Sequence, residues 1–249
     1  MIRNDLHVHS IRSFCGVHTY FEIVEIAAGK GMRLVNICDH GKASGETIKF
    51  DVINNKRRFP KTIQSAQGVS VQVLTGIEVN ILDIEGSSDF PVDQSRDFDL
   101  VSAGFHSMAK ELATKKSRQN NTTALENYLK RFPLDILTHP CIATFPLDLE
   151  KVVDLSVQYG FALEINNTAL RLGKIDIGRL KKMIHLARAK GAALCENSDG
   201  HTFLEIGENE EIEKLLKTDV LNGDDIFINR NDRALDQFLA GRKKIREKM

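Results

Sequence analysis

The sequence predicts a single α/β domain with a largely parallel sheet, closed or nearly closed into a barrel, and three observations predict it. Short apolar, β-branched runs alternate with helical segments along the whole chain. At least seven such runs occur, which favours a barrel over an open doubly wound sheet. No GxGxxG or Walker sequence marks the nucleotide-binding form of an open sheet. The 249 residues suit one such barrel. No Pro/Ser-rich linker, low-complexity tract or short repeat divides them, so residues 1–249 read as one domain.

The first strand is Asp5-Leu6-His7-Val8-His9. Its side-chain period of two puts His7 and His9 on one face, about 7 Å apart, and turns Leu6 and Val8 to the other, under helices. Residues 10–19 form a loop containing Gly16. Thr19 and Glu22 make a capping box for a helix over Tyr20–Lys30, which Gly31 stops. Leu34–Cys38 is a buried strand ending at Asp39-His40-Gly41. Val71–Ile77 ends at Glu78, and Asp99–Phe105 ends at His106. A helix over Thr123–Arg131 leads to Leu134–Thr138, which ends at His139-Pro140. The helix Asp148–Tyr159 is closed by Gly160, and Phe161–Ile165 ends at Asn166-Asn167. Helix Ile177–Lys190 and Gly191 precede the strand Ala192–Glu196, which runs into Asn197-Ser198-Asp199-Gly200-His201. The remainder holds a helix near Glu208–Lys217, the run Ile226–Ile228 and a helix near Asp232–Lys243. The tail Arg242–Arg246 reads as a solvated helix end, and His185, mid-helix, as structural.

Lys+Arg and Asp+Glu both total 34, so the net charge is zero, and only 6% of residues are aromatic. That balance argues against a nucleic-acid partner. Cys15, Cys38, Cys141 and Cys195 are scattered without a CxxC and read as reduced thiols. No signal peptide or membrane-length apolar run is present, so a cytoplasmic protein is expected.

Six strand-like runs end in metal-competent residues: His7/His9, His40, Glu78, His106, His139 and Asp199/His201. In a parallel α/β barrel all these strand ends open on one face, where they can converge. Imidazoles with carboxylates suit Zn²⁺, Mn²⁺ or Fe²⁺, and no thiolate cluster marks a structural site. The donors exceed what one ion needs, so two or three ions are expected, with a carboxylate such as Glu78 bridging. Such an ion cluster suits phosphoester hydrolysis.

The ordered motifs Asp5–Ser10, Asp39-His40-Gly41, Gly76-Ile77-Glu78, Gly104-Phe105-His106-Ser107, Thr138-His139-Pro140 and Ser198-Asp199-Gly200-His201 resemble those of the PHP (polymerase and histidinol phosphatase) superfamily. The chain is most similar to its small stand-alone phosphatases, and Leu163–Asn167 also matches their pattern. The resemblance implies a distorted seven-stranded, TIM-like (β/α) barrel with a trinuclear centre. Carried over by position, His7, His9, Glu78 and Asp199 would bind one ion, and Glu78, His106 and His139 a second. His40 and His201 would bind a third, with one more ligand from the loop after the first strand. At the usual distance stands Cys15, and three residues later His18. His18 is the expected ligand, because imidazole matches its partners, and Cys15 is its rival.

The expected reaction is hydrolysis of a small phosphomonoester by direct attack of a metal-bound hydroxide, with Glu78, Asp199 and His201 as catalytic residues. Arg12, Lys42 and Arg171 follow motifs on the same rim and are candidates to neutralise phosphate. Asn166 and Asn167 either bind substrate or orient ligands. Asp5 is expected to accept the second N–H of His7, while Asp39 either structures its loop or takes part. Lys110, Lys115, Lys116 and Arg118 form either a basic lid or a solvated loop. The rival readings are a phosphodiesterase acting on nucleic acid and a metal-binding domain without turnover. Oligomeric state is left open.

Overall fold

The computed structural model describes residues 1–41, 59–91, 96–107, 112, 117–217 and 226–248. Seven parallel strands follow one another around the sheet: β1 (Asn4–Val8), β2 (Leu34–His40), β4 (Ser70–Asn80), β5 (Leu100–Gly104), β6 (Ile136–Leu137), β7 (Ala162–Asn166) and β8 (Leu194–Asn197). The short strand β3 (Thr62–Gln64) pairs antiparallel on the outside of β4. Among the described residues the backbone pairing that closes the circuit is at the strand C-termini, where His9 N–H donates to the Gly200 carbonyl at 2.9 Å. Lower down, Asn229 fills the seam between β8 and β1. Its amide donates to the carbonyls of Asn4 and Glu196 at 2.8 and 2.6 Å. The sequence run 226–228 therefore becomes a wedge that completes the barrel wall, with Phe227 bridged to Leu194.

The helices are α1 (Tyr20–Gly29), α2 (Arg118–Leu129), α3 (Leu149–Tyr159), α4 (Asn167–Arg171), α5 (Ile177–Lys190), α6 (Glu210–Leu216) and α7 (Asp232–Arg246). The capping box at Thr19 and Glu22 is formed, with N–H···O distances of 2.7 and 3.3 Å. Asp148 and Asp176 cap α3 and α5, and Gly160 and Gly191 end them in the left-handed conformation at φ 71° and 72°. α2 starts five residues before the expected position, because Ser117 caps it ahead of the first buried apolar turn. α4 has too few residues to show a period and is visible only in the structure. Among the described residues no helix is long and apolar enough to cross a membrane.

Two expectations need correction. Leu6 does not share a face with Val8. Asp5 pairs with Val35 and Val8 with Ile37, so three steps on β1 match two on β2 and the strand bulges. Val8 packs under α1 with Ile23 and Val24, whereas Leu6 joins Leu34, Leu74, Leu100, Ile136 and Cys195 in the barrel floor. The second correction concerns the tail, which is not a solvated helix end. Leu235 of α7 plugs that floor, and Arg242 and Arg246 are buried against the Asp135 carboxylate.

Candidate metal centre

Above the apolar floor the barrel turns polar, and the strand C-termini carry the candidate ligands. His7 and His9 are both buried, at 1% exposure each, as the strand period requires. Their Nε2 atoms lie 3.0 Å apart. Asp199 Oδ1 is 3.5 Å from His7 Nε2 and 3.2 Å from His9 Nε2. Glu78 Oε2 is 3.4 and 3.6 Å from the same two nitrogens. A tetrahedron with bonds of about 2.0–2.1 Å has edges of roughly 3.3 Å, so these four donors have the spacing of ligands around one ion.

Glu78 reaches a second set through its other oxygen. Oε1 lies 3.4 Å from both His106 Nε2 and His139 Nε2. It is buried and accepts no hydrogen bond among the described residues. A carboxylate oxygen buried without a donor costs free energy that a cation between it and two imidazoles would recover. Room for those rings depends on Gly104. A Cβ there would stand 2.3 Å from Thr138 Oγ1 and 3.0 Å from Cε1 of both His106 and His139.

The ring orientations agree with this reading. His7 Nδ1 meets Glu164 Oε1 at 2.7 Å and His201 Nδ1 meets the Asp199 carbonyl at 2.8 Å. His9 Nδ1 meets Ser13 Oγ at 3.3 Å, a hydroxyl that itself donates to Asp39 Oδ1. Each partner accepts, which assigns the proton to Nδ1 and leaves the Nε2 lone pair for a metal. Burial and the neighbouring His40 push the His9 imidazolium down to about 3, so this ring is neutral. Burial opposes ionisation of Glu78 and Asp199, but His7 and the other surrounding imidazoles hold both carboxyls well below the usual range. Two of the candidate ligands are strained: His139 and Asp199 have φ of 34° and 53°, a conformation that side chains disfavour and functional sites often retain.

A third group of donors joins His9, His40 and His201 to Cys15, with all four ligand atoms within 4.8 Å of one another. The expected ligand His18 is not among them. A Cβ on Gly16 would stand 2.3 Å from the Ser10 carbonyl, so the loop doubles back there and directs Cys15 inward. His18 emerges on the other side, where its Nε2 accepts the Phe203 N–H at 2.9 Å. Burial works against ionisation of the Cys15 thiol, yet contacts with His201 and His40 outweigh it and bring it down to about 7.

Other candidates are redistributed. Asp5 does not touch a ring nitrogen of His7; it accepts from Ser198 and the Gly207 N–H and tethers β1 to the β8 loop. Glu164 orients His7 instead, and its Oε2 also accepts the His139 N–H at 2.8 Å. The sequence signals it only as an acid between Leu163 and Ile165 on an apolar strand, within the Leu163–Asn167 run that matches the family pattern. Asn166 donates to Glu164 and Asp199 at 3.0 and 3.1 Å, so it orients ligands. Asn167 Oδ1 accepts the Glu211 N–H at 3.0 Å and serves the start of α6. Asp39 structures its loop through Ser10, Ser13 and Tyr20. Arg12 is exposed on the Cys15 loop. Arg171 is paired with Glu205, whose other oxygen accepts the His201 N–H at 3.0 Å. His185 is exposed on α5, away from the cluster. Lys42, Lys110, Lys115 and Lys116 lie outside the described residues, and Arg118 begins α2. Lys174, which the sequence does not single out, stands at the mouth of the cavity over the cluster, about 180 Å³ in volume.

Residues 5–168 match the sequence model of the PHP domain. A "Probable phosphatase" of Shewanella frigidimarina is 32% identical over 96% of this chain and 93% of its own length. One from Acetivibrio thermocellus is 30% identical over 98% of both chains. The fold is similar to that of histidinol phosphate phosphatase from Lactococcus lactis, solved with zinc, L-histidinol and phosphate. That match has a TM-score of 0.60 and 14% identity, covering 88% of this chain and 92% of the other. A chain of an archaeal ribonuclease P with mature tRNA shares the fold at a TM-score of 0.55 and 12% identity, covering 97% and 90%. With the family model matched over most of the chain and full-length relatives named as phosphatases, this chain belongs to the PHP domain family of phosphoester hydrolases.

Proposed function

We propose that this protein hydrolyses a small phosphomonoester at a cluster of two or three divalent ions, of the Zn²⁺, Mn²⁺ or Fe²⁺ type. The observation that carries the reading is Glu78, whose two oxygens face two separate sets of imidazoles. His7, His9, Glu78 and Asp199 would hold one ion, and Glu78, His106 and His139 a second. His40 and His201 would hold a third. Ions bound there supply a nucleophile from water at neutral pH and positive charge for phosphoryl oxygens.

The chain's own residues do the remaining work. Glu164 and Asn166 fix the donor atoms of His7 and Asp199 before substrate arrives, which preserves the spacing during the reaction. Glu205 holds the His201 backbone in the same way. Glu78, Asp199 and His201 are the groups placed beside the reacting atoms. Lys174 supplies a point charge at the cavity mouth for a phosphate oxygen or a second anionic group. The 180 Å³ cavity suits a phosphoryl group with a compact leaving group. Zero net charge and few aromatic residues disfavour a nucleic-acid substrate.

Metal-reconstituted protein is expected to cleave p-nitrophenyl phosphate in preference to its bis ester and to short single-stranded DNA. Glu78→Ala and Asp199→Ala should each lower kcat/KM at least about 100-fold. Preferential cleavage of the bis ester or DNA would favour a phosphodiesterase. Absence of turnover with Zn²⁺, Mn²⁺ and Fe²⁺ alike would sink the hydrolase reading.

A further inference from the structure

The donors around Cys15 distinguish this centre from one built of nitrogen and oxygen alone. We infer that Cys15 is a thiolate ligand of the third ion, together with His40 and His201, and that this position therefore selects a thiophilic metal. The inference rests on the metal-centre reading above and adds to it the chemistry of one position.

Three observations support it. The Cys15 sulfur and ring nitrogens of His9, His40 and His201 all fall within 4.8 Å, close to what ligands of one ion require once side chains tighten around it. The loop that carries the thiol is tied down on both flanks. On one side Ser13 N–H donates to the Ser10 carbonyl at 2.9 Å, and the Ser13 hydroxyl accepts the His40 N–H at 2.9 Å. On the other, Val17 N–H donates to the His201 carbonyl at 3.2 Å, linking the Cys15 loop to the loop of its partner histidine. Ring stacking is the third sign, since His40 and His201 both stack on His9, with ring centroids 4.4 and 4.6 Å apart, and so gather the three imidazoles. The sulfur thus sits between the end of β2 and the loop after β8, which carry His40 and His201, whereas His18 is committed to Phe203.

A thiolate is a soft ligand. It binds Zn²⁺, Co²⁺ and Fe²⁺ well, and Mn²⁺ and Mg²⁺ poorly, whereas an imidazole in the same place discriminates less. The carboxylate-bridged pair has no sulfur and should accept the harder Mn²⁺. Mixed occupancy, with a thiophilic ion at Cys15 and another metal at the pair, follows from the donor set.

Cobalt gives a readout independent of turnover. Apo-protein titrated with Co²⁺ should show a sulfur-to-cobalt charge-transfer band in the near ultraviolet and bind three ions per chain by elemental analysis. The Cys15→Ser variant assigns the band, because Cys38, Cys141 and Cys195 are all buried and none joins the histidines in a ligand group among the described residues. Cys15→Ser should abolish the band and lose one ion. Cys15→His should also abolish the band, but keep three ions and bind Mn²⁺ at the third position more tightly than the wild type. His18→Ala should leave band and stoichiometry unchanged. Three bound Co²⁺ without the band would overturn the proposal, as would loss of an ion from His18→Ala but not from Cys15→Ser. A wild-type protein that binds two ions and still cleaves p-nitrophenyl phosphate would overturn it while leaving the proposed function standing.

Discussion

Glu164 shows how one carboxylate can govern a centre it does not join. Its Oε1 holds His7 Nδ1 at 2.7 Å and also accepts from Asn197 at 2.8 Å, while Oε2 takes the His139 N–H. Two candidate ligands, assigned above to different proposed ions, are therefore aligned by one side chain. Glu164→Gln keeps the size and an accepting oxygen but removes the charge facing His7, so it should weaken metal binding by about 10–100-fold. Competition against a chromophoric chelator measures this, and an unchanged affinity would show that the contact is incidental. The convergence of the candidate ligands was legible because each stands where an apolar run stops, a pattern independent of how the strands curve. The partner of His7 was not. Asp5 sits two residues before it, and a regular strand would place both on one face. The bulge in β1 breaks that parity and sends Asp5 toward Ser198 and Gly207. The choice between Cys15 and His18 was hidden for a related reason, since it depends on where the loop doubles back at Gly16.

The strands position the centre through their ends more than through their length. β6 is only two residues long, Ile136–Leu137, yet it delivers Thr138 and His139 beside the end of β5. Gly104 is the contact between them, and a methyl group there would strike Thr138 Oγ1 first and then the rings of His106 and His139. Gly104→Ala should therefore separate those two imidazoles and lower occupancy of the Glu78–His106–His139 position by at least one order of magnitude. The ion at His7, His9 and Asp199 should be retained. Metal content after dialysis at limiting free Zn²⁺ distinguishes the two, and equal loss from both positions would refute the local account. Helices with a side-chain cap and a closing glycine, such as α3 and α5, were legible because both signals are local. α6 lacks a side-chain bond from its own N-cap residue Asn209. Asn167 serves it from 44 positions away, which no local pattern reports.

The barrel has opposite chemistry at its two ends, and the C-terminal helix belongs to the end remote from the candidate metal centre. The floor of Leu6, Leu34, Leu74, Leu100, Ile136 and Cys195 would be open to water without Leu235. α7 is fastened by Asp135, which is fully buried. Arg242 Nε reaches its Oδ1 at 2.9 Å, and Arg246 Nη1 binds its Oδ2. Arg242 Nη1 and Nη2 and Arg246 Nη2 donate to the carbonyls of Tyr159, Leu134 and Asp99 at 2.6, 2.5 and 2.5 Å. In the sequence these arginines lie among lysines at the end of an amphipathic helix, where solvated charge is the ordinary outcome. Only the depth at which the helix enters the barrel floor changes that. Asp135→Ala would leave two buried guanidinium groups facing no carboxylate, a defect that costs about 3–5 kcal/mol. Denaturant unfolding should show that loss, while metal stoichiometry per folded chain stays at the wild-type value because the centre lies at the other end of the strands. A loss under about 1 kcal/mol, the range of exposed ion pairs, would mean that apolar packing of α7 alone closes the barrel and that the arginine–aspartate cluster contributes little to it.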